Sequence, residues 1–397
     1  MSLSLNWLFV SQLVSLVGTT LLTLSFLLSG RFRFVEDWFG GLDKVYHFHH
    51  LTGGISFVFL LHHPLFLAVN ALPNTALSWK YLWFSELLPY NMGIISLYFM
   101  LLMIIFTLFI KLPYSLWKTT HELMGIALFF AVLHILTISS DVSRYLPLKM
   151  WMYFLLGMAI YSVIYRRFLY GYFGPKFNYL VKNIARKADI LDVTLMPLIK
   201  KINYLPGQFV FIKFNDINKE VHPFSIAGCD EVGNLRIAVK ILGDYTLMMN
   251  TLQEGSSVTL WGPYGKFWEN SRGAKNYIWI AGGIGVTPFL SLLEEEVATI
   301  PDRKIDFFYC VNSEEEAVFH QEILSRTEDL PSINYYKHCS NQFGRIDAKK
   351  IVSSVGNLID KKIMICGPVS MMTSLADQFG KMGIGNKHII FEDFNFK

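Results

Sequence analysis

Four histidines lie in apolar surroundings at a repeated spacing. In YHFHHLTGGISFVFLLHHP (residues 46–64), His49 and His63 are 14 apart; in KTTHELMGIALFFAVLHILT (residues 118–137), His121 and His134 are 13 apart. An ionisable side chain in a lipid-embedded helix is expensive and turns inward, toward a functional partner. At 100° per residue, a 14-residue step returns to within about 40° of the same face, about 21 Å further along the axis. Two such helices at matching depth would pair His49 with His121 and His63 with His134. That is enough to hold two bis-histidine haems stacked across a bilayer. The 13-residue step leaves its two rings about 140° apart on an ideal helix, so a π-bulge or a tilted haem is expected there. Gly53, one turn after His49, is expected to leave room for a porphyrin, and Pro64 marks a place where the helix could distort. His47, His50 and His62 are expected to face headgroups.

The elements that must carry these residues are apolar. The chain has 397 residues, of which 52% are hydrophobic and 15% aromatic, and nearly all the long apolar runs fall before residue 170. Five stretches, about 6–29, 49–70, 91–111, 120–140 and 148–166, approach the roughly 20 residues that a bilayer core demands. The first lacks a basic leader and is long enough to span, so it reads as a membrane helix and not a signal peptide. Arg31, Arg33 and Lys44 lie in the first loop, Lys111 and Lys118 in the third, and Arg166, Arg167 and Lys176 after the fifth span. By the positive-inside rule these sides are cytoplasmic, as is the C-terminal half. Its four isolated cysteines, Cys229, Cys310, Cys339 and Cys366, suit a reducing compartment and have neither zinc nor iron–sulfur spacing. A net charge of +4 without a basic stripe argues against nucleic acid.

The C-terminal half changes character twice. Short alternating runs broken by Gly and Pro, from about 177 to 265, predict an antiparallel β-barrel. Within it, His222, Pro223, Phe224 and Ser225 offer an aromatic face and a hydroxyl to a flavin, while Lys240 and Thr246 of KILGDYT could hold phosphate. From about 275, apolar strands alternate with helices, the pattern of a parallel α/β nucleotide-binding domain. In AGGIGVTPF, Gly282, Gly283 and Gly285 let a backbone approach a pyrophosphate at a helix N-terminus; Thr287 and Pro288 follow. A second strand ends in Cys366, Gly367 and Pro368. The expected architecture is thus an all-α membrane bundle (1–170), an FAD-binding β-barrel (171–270) and an NAD(P)H-binding α/β domain (271–397).

The strings HPFSI, GDYT, AGGIGVTPF and CGP, the aromatic Phe396 near the end, and the 14-and-13 histidine spacing resemble the NADPH oxidase and ferric reductase family over nearly the whole chain. The C-terminal half resembles a ferredoxin–NADP reductase module. The resemblance implies FAD at His222–Ser225 and Thr246, with Phe396 stacked on the flavin until nicotinamide displaces it. It implies NAD(P)H on Gly282–Pro288, with Cys366 and Gly367 near the nicotinamide. It further implies two b-type haems on His49, His63, His121 and His134 relaying electrons to an outside acceptor. Three positions depart from the pattern. There are five spans where eukaryotic oxidases have six; Cys310-Val311-Asn312 replaces the Cys-Arg that meets a 2′-phosphate, with Ser313, Lys337 or Arg345 as substitutes; and Leu67 replaces a polar residue beyond the outer ligand.

The expected activity is a superoxide-generating NAD(P)H oxidase in the cell membrane, with lipid and a small-molecule acceptor as its partners. The alternatives are a ferric-chelate reductase and an electron carrier feeding a membrane or periplasmic protein. The outer loops, with Lys80, Glu86, Asp141, Arg144 and Lys149, lack a dense acidic cluster and favour oxygen. With no EF-hand and no docking extension, activity without an obligatory protein partner is expected.

Overall fold

A computed structural model describes residues 6–218, 220–295 and 303–392. The chain divides into two compact units. One is formed by the residues before Glu36 and by Lys44–Tyr172, the other by Glu36–Asp43 and the residues from Phe173 onward.

The first unit is helical: α1 (Trp7–Leu28), α2 (Arg33–Phe39, which runs on into the second unit), α3 (Leu42–Ala71), α4 (Thr75–Leu82), α5 (Leu88–Leu108), α6 (Tyr114–Glu122), α7 (Met124–Thr137), α8 (Asp141–Arg144), α9 (Leu146–Ile164) and α10 (Tyr170–Phe173). Five segments are long and apolar enough to cross a membrane: α1, α3, α5, Leu116–Thr137 and Leu146–Phe173. In lipid a second apolar surface gives helices little reason to associate, so small residues and hydroxyls must do it. Helix α1 accordingly buries Ser11, Gly18, Thr19, Thr23 and Ser25. A Cβ on Gly18 would lie 2.9 Å from the Leu60 side chain, and Ser56 Oγ donates to the Gly18 carbonyl at 2.8 Å. Ser96 Oγ ties α5 to the Ala127 carbonyl of α7 at 2.8 Å.

Two local expectations need correction. Helix α3 starts at Leu42 and continues through Pro64, so His49 lies two turns inside a helix of about 45 Å. The π-bulge foreseen between His121 and His134 is absent there. The helix instead breaks at Leu123, where the Leu123 N–H bonds the Thr120 carbonyl and the Ile126 N–H bonds the Leu123 carbonyl. Such 3₁₀ steps advance about 120° per residue and turn His134 back toward the face of His121. The π-turn of this unit is Tyr165–Leu169.

In the second unit, six antiparallel strands close a barrel in the order β1-β2-β5-β4-β3-β6. They are β1 (Lys176–Lys187), β2 (Ile190–Pro197), β3 (Phe209–Phe214), β4 (His222–Cys229), β5 (Leu235–Lys240) and β6 (Ser257–Tyr264), with α11 (Asp244–Met248) between the last two. Val193, Leu195, Val210, Ile212, Ile226, Ile237 and Leu260 fill the interior. A five-stranded parallel sheet follows in the order β11-β10-β7-β8-β9. Its strands are β7 (Asn276–Gly282), β8 (Lys304–Val311), β9 (Ile333–Cys339), β10 (Lys361–Cys366) and β11 (Ile389–Phe391); α12 (Thr287–Glu295) follows β7. Trp279, Phe289 and Phe307 pack its core. The chain runs outward from β7 in both directions, so the topological switch point, where open α/β sheets bind ligands, lies at the carboxyl ends of β7 and β10.

The short Glu36–Asp43 segment is held within this second unit. The Gly265 N–H donates to Glu36 Oε1 at 2.7 Å, Lys266 pairs with Asp37 at 2.7 Å, and Asn270 Nδ2 donates to the Gly40 carbonyl at 2.7 Å.

Candidate redox site

Each of the four histidines is oriented through Nδ1. His49 Nδ1 lies 2.8 Å from the Ser25 carbonyl and 2.9 Å from Ser25 Oγ. His63 Nδ1 lies 3.1 Å from the Ser11 carbonyl and 2.8 Å from Ser11 Oγ. His134 Nδ1 meets the Pro89 carbonyl at 2.8 Å. His121 Nδ1 meets Thr107 Oγ1 at 3.3 Å, and that hydroxyl spends its own proton on the Met103 carbonyl. A carbonyl can only accept, so Nδ1 carries the proton and Nε2 keeps its lone pair for a metal.

The rings of His49 and His121 have centroids 6.0 Å apart and planes at 87°. A separation of this order would let both rings serve one haem iron, were one bound between them. Trp117 stacks on His121 at 5.6 Å and 11°. His63 and His134 lie within Coulombic reach of each other. No group of three His, Cys, Asp or Glu that could hold an ion exists among the described residues. Two protein ligands per site suit an iron whose other four come from a porphyrin. A Cβ on Gly53 would meet Ser25 Oγ at 3.2 Å, and one on Gly54 would meet nothing within 4 Å. His47 and His50 are exposed, and His62 Nδ1 turns to its own helix at the Val58 carbonyl.

In the second unit, β4 carries His222, Pro223, Phe224 and Ser225 at its half-exposed start. His222 Nε2 meets Glu220 Oε2 at 2.8 Å and its ring stacks on Tyr245 at 3.7 Å. Burial pushes the Tyr245 hydroxyl up to about 12. Phe224 leans on the barrel core beside Phe214. Thr246 Oγ1 accepts from the Leu242 and Gly243 N–H groups at 2.9 and 3.0 Å, which makes it the clasp of its own loop. Lys240 pairs with Asp189 and Glu316 at 3.2 and 3.5 Å.

At the switch point the glycines have separate tasks. A Cβ on Gly285 would lie 2.4 Å from the Cys366 carbonyl, and one on Gly367 would lie 2.9 Å from Gly282 Cα. One on Gly282 would strike Met371 and Pro368. These three let the two strand ends touch. Gly283, with φ +55°, borders open space and is the position a dinucleotide backbone can approach. Thr287 Oγ1 donates to the Ile284 carbonyl, and Pro288 is buried in the first turn of α12. Cys366 is buried at the end of β10. Beyond β8, Asn312 donates to Glu316, Lys337 pairs with Glu314, and Arg345 is exposed. Phe396 lies outside the described residues.

Ser11, Ser25, Thr107, Pro89 and Trp117 were not foreseen. Ser11 and Ser25 are themselves 14 apart, the spacing of the histidines they hold, and that match was the available signal. Glu392 is also new: it is buried, and its Oε1 lies 2.5 Å from where a Gly265 Cβ would stand.

Residues 14–132 match the ferric reductase like transmembrane component, residues 177–267 an FAD-binding domain, and residues 279–377 the oxidoreductase NAD-binding domain. The chain is 24% identical over 235 residues to Flavohemoprotein A of Dictyostelium discoideum, covering 54% of this chain and 58% of that one. It is 29% identical over 185 residues to NADH-cytochrome b5 reductase 2 of Meyerozyma guilliermondii, covering 43% and 62%. The matches thus span less than two thirds of these relatives. A flavohemoglobin structure from Malassezia yamatoensis, with bound FAD and heme, aligns with TM-score 0.57 at 18% identity, over 99% of this chain and 100% of that one, a likeness of fold alone. The fold and these matches define a membrane oxidoreductase with flavin- and nicotinamide-binding domains. A ferric-reductase-like transmembrane component joined to an FAD-binding and an NAD-binding domain is the domain set of the NADPH oxidase and ferric reductase family.

Proposed function

We propose that the chain is a transmembrane NAD(P)H oxidase, moving electrons from cytoplasmic NAD(P)H through FAD and two b-type haems to oxygen outside, with superoxide as product. The observation that carries this reading is the set of four imidazoles, each fixed through Nδ1 with Nε2 left for iron, and one pair already at 6.0 Å. FAD, when bound, turns a two-electron hydride into single electrons, and haem iron, when bound, accepts them one at a time. The chain's own residues position these groups. Ser25 and Thr107 would orient the ligands of the inner haem, and Ser11 and Pro89 those of the outer. Gly283 would admit the dinucleotide, and the HPFS strand would line the flavin.

Oxygen is favoured over a charged chelate because the outer loops, with Lys80, Glu86, Asp141, Arg144 and Lys149, carry charges of both signs and no dense acidic cluster. The purified chain is expected to act without a protein partner. NADPH or NADH added anaerobically in detergent should bring up reduced low-spin haem bands, and air should abolish them with superoxide formation. Bands that persist in air would move the acceptor to ferric iron or a protein. Absence of haem bands would remove the relay.

A further inference from the structure

One end of the barrel is apolar where a water-facing turn should be polar. The β2–β3 loop presents Leu198 at 49% exposure and Ile199 at 93%, followed by the exposed Lys200 and Lys201. The neighbouring β4–β5 turn presents Val232 at 75%. These turns touch: the Lys201 stem lies where a Cβ on Gly233 would be, at 2.8 Å. The local acidic groups are Asp230 and Glu231. Asp230 is occupied by the backbone and side-chain nitrogens of Asn234, at 2.8 and 2.6 Å. Lys176 and Lys182, also exposed, add positive charge on β1.

This is the end at which the chain enters the barrel. The Leu198 N–H donates to the Asn178 carbonyl, and Pro197 pairs with Tyr179. The fifth apolar segment closes at Phe173, and the five residues from there to Asn178 reach at most about 17 Å. The loop is therefore tethered within a short distance of the lipid headgroups by covalent connection alone. Large aliphatics flanked by lysines are the composition that enters an anionic interface, the side chains going below the headgroups and the ammonium groups pairing with phosphates. We infer that Leu198, Ile199 and Val232 insert into the cytoplasmic headgroup layer, with Lys200 and Lys201 on anionic lipid. The barrel is thereby docked on the membrane independently of its connecting chain.

The test uses the full chain in nanodiscs of phosphatidylcholine and phosphatidylglycerol, on a Cys229→Ser background because the other three cysteines are buried. An environment-sensitive NBD label is placed at Ile199→Cys, at Val232→Cys as a second probe of the patch, and at Ile359→Cys on the exposed surface of the nucleotide domain as reference. Replacing part of the lipid with doxyl-phosphatidylcholine should remove most of the emission from positions 199 and 232 and little from 359. Emission at 199 and 232 that behaves like that at 359 would overturn the inference. A blue-shifted but unquenched signal would also overturn it, because protein, from the same chain or a second copy, would then cover the patch. The readout needs neither haem nor turnover, so it stands apart from the proposed activity.

Discussion

The two histidines of α3 and the two of α6–α7 are held in different ways. On α3, His49 and His63 receive the same bracket, a carbonyl and a hydroxyl from one serine of the antiparallel α1, and serines and histidines are both 14 residues apart. On the other side, His121 has a single threonine hydroxyl at 3.3 Å, and His134 a proline carbonyl at 2.8 Å, both from α5. The continuous α3 can repeat one solution at two depths because its 14-residue step almost closes on itself. The broken α6–α7 cannot, so each ring takes what its depth offers. One helix pair works as a fixed rail and the other as a fitted part.

The largest effects should come from the ligands. His63→Ala and His134→Ala should each halve the haem per chain in a pyridine haemochrome assay while leaving flavin reduction by NAD(P)H intact. Next comes Gly93, whose Cβ would sit 3.0 Å from His134 Nδ1. Gly93→Ala should displace that ring and deplete the outer haem, whereas Gly53→Ala, at 3.2 Å from a serine hydroxyl, should be milder. Equal depletion in both variants would erase the distinction between the sides. Ser11→Ala and Ser25→Ala remove the Nδ1-facing hydroxyl but keep the carbonyl. Each should weaken haem retention by about tenfold, the lower end for an outer hydrogen bond to a metal ligand. The two should match, since their brackets match. Thr107→Val should have the smallest effect, below about 1 kcal/mol in haem affinity, because its bond is long. A loss as large as that of Ser25→Ala would show the two sides to be held alike.

What the sequence disclosed follows the same division. Apolar length revealed five spans, and a repeated spacing revealed the histidine pairs, because both are properties of one helix. The break at Leu123 was hidden, since only Gly125 lies beside it and glycine is frequent in unbroken membrane helices. The serines were hidden because a hydroxyl in an apolar helix does not name its partner. In the second unit, alternation gave the barrel and the glycine string gave the switch point. The carboxylates beside Lys240 were not legible, because its cross-strand neighbour is Ile190, which sets Asp189 beside it, and that register is not visible along the chain. Residues 36–43 looked like a loop between spans, and only tertiary contacts place Glu36 on the Gly265 N–H.

Double variants separate the pairing of His49 with His121 and of His63 with His134 from any other. Haem per chain should be the same in His49→Ala/His121→Ala as in either single variant, because both side chains serve one iron. In His49→Ala/His134→Ala both sites lose a ligand, and the protein should be nearly free of haem. One haem retained in that cross-pair variant, or none in the same-pair variant, would contradict it.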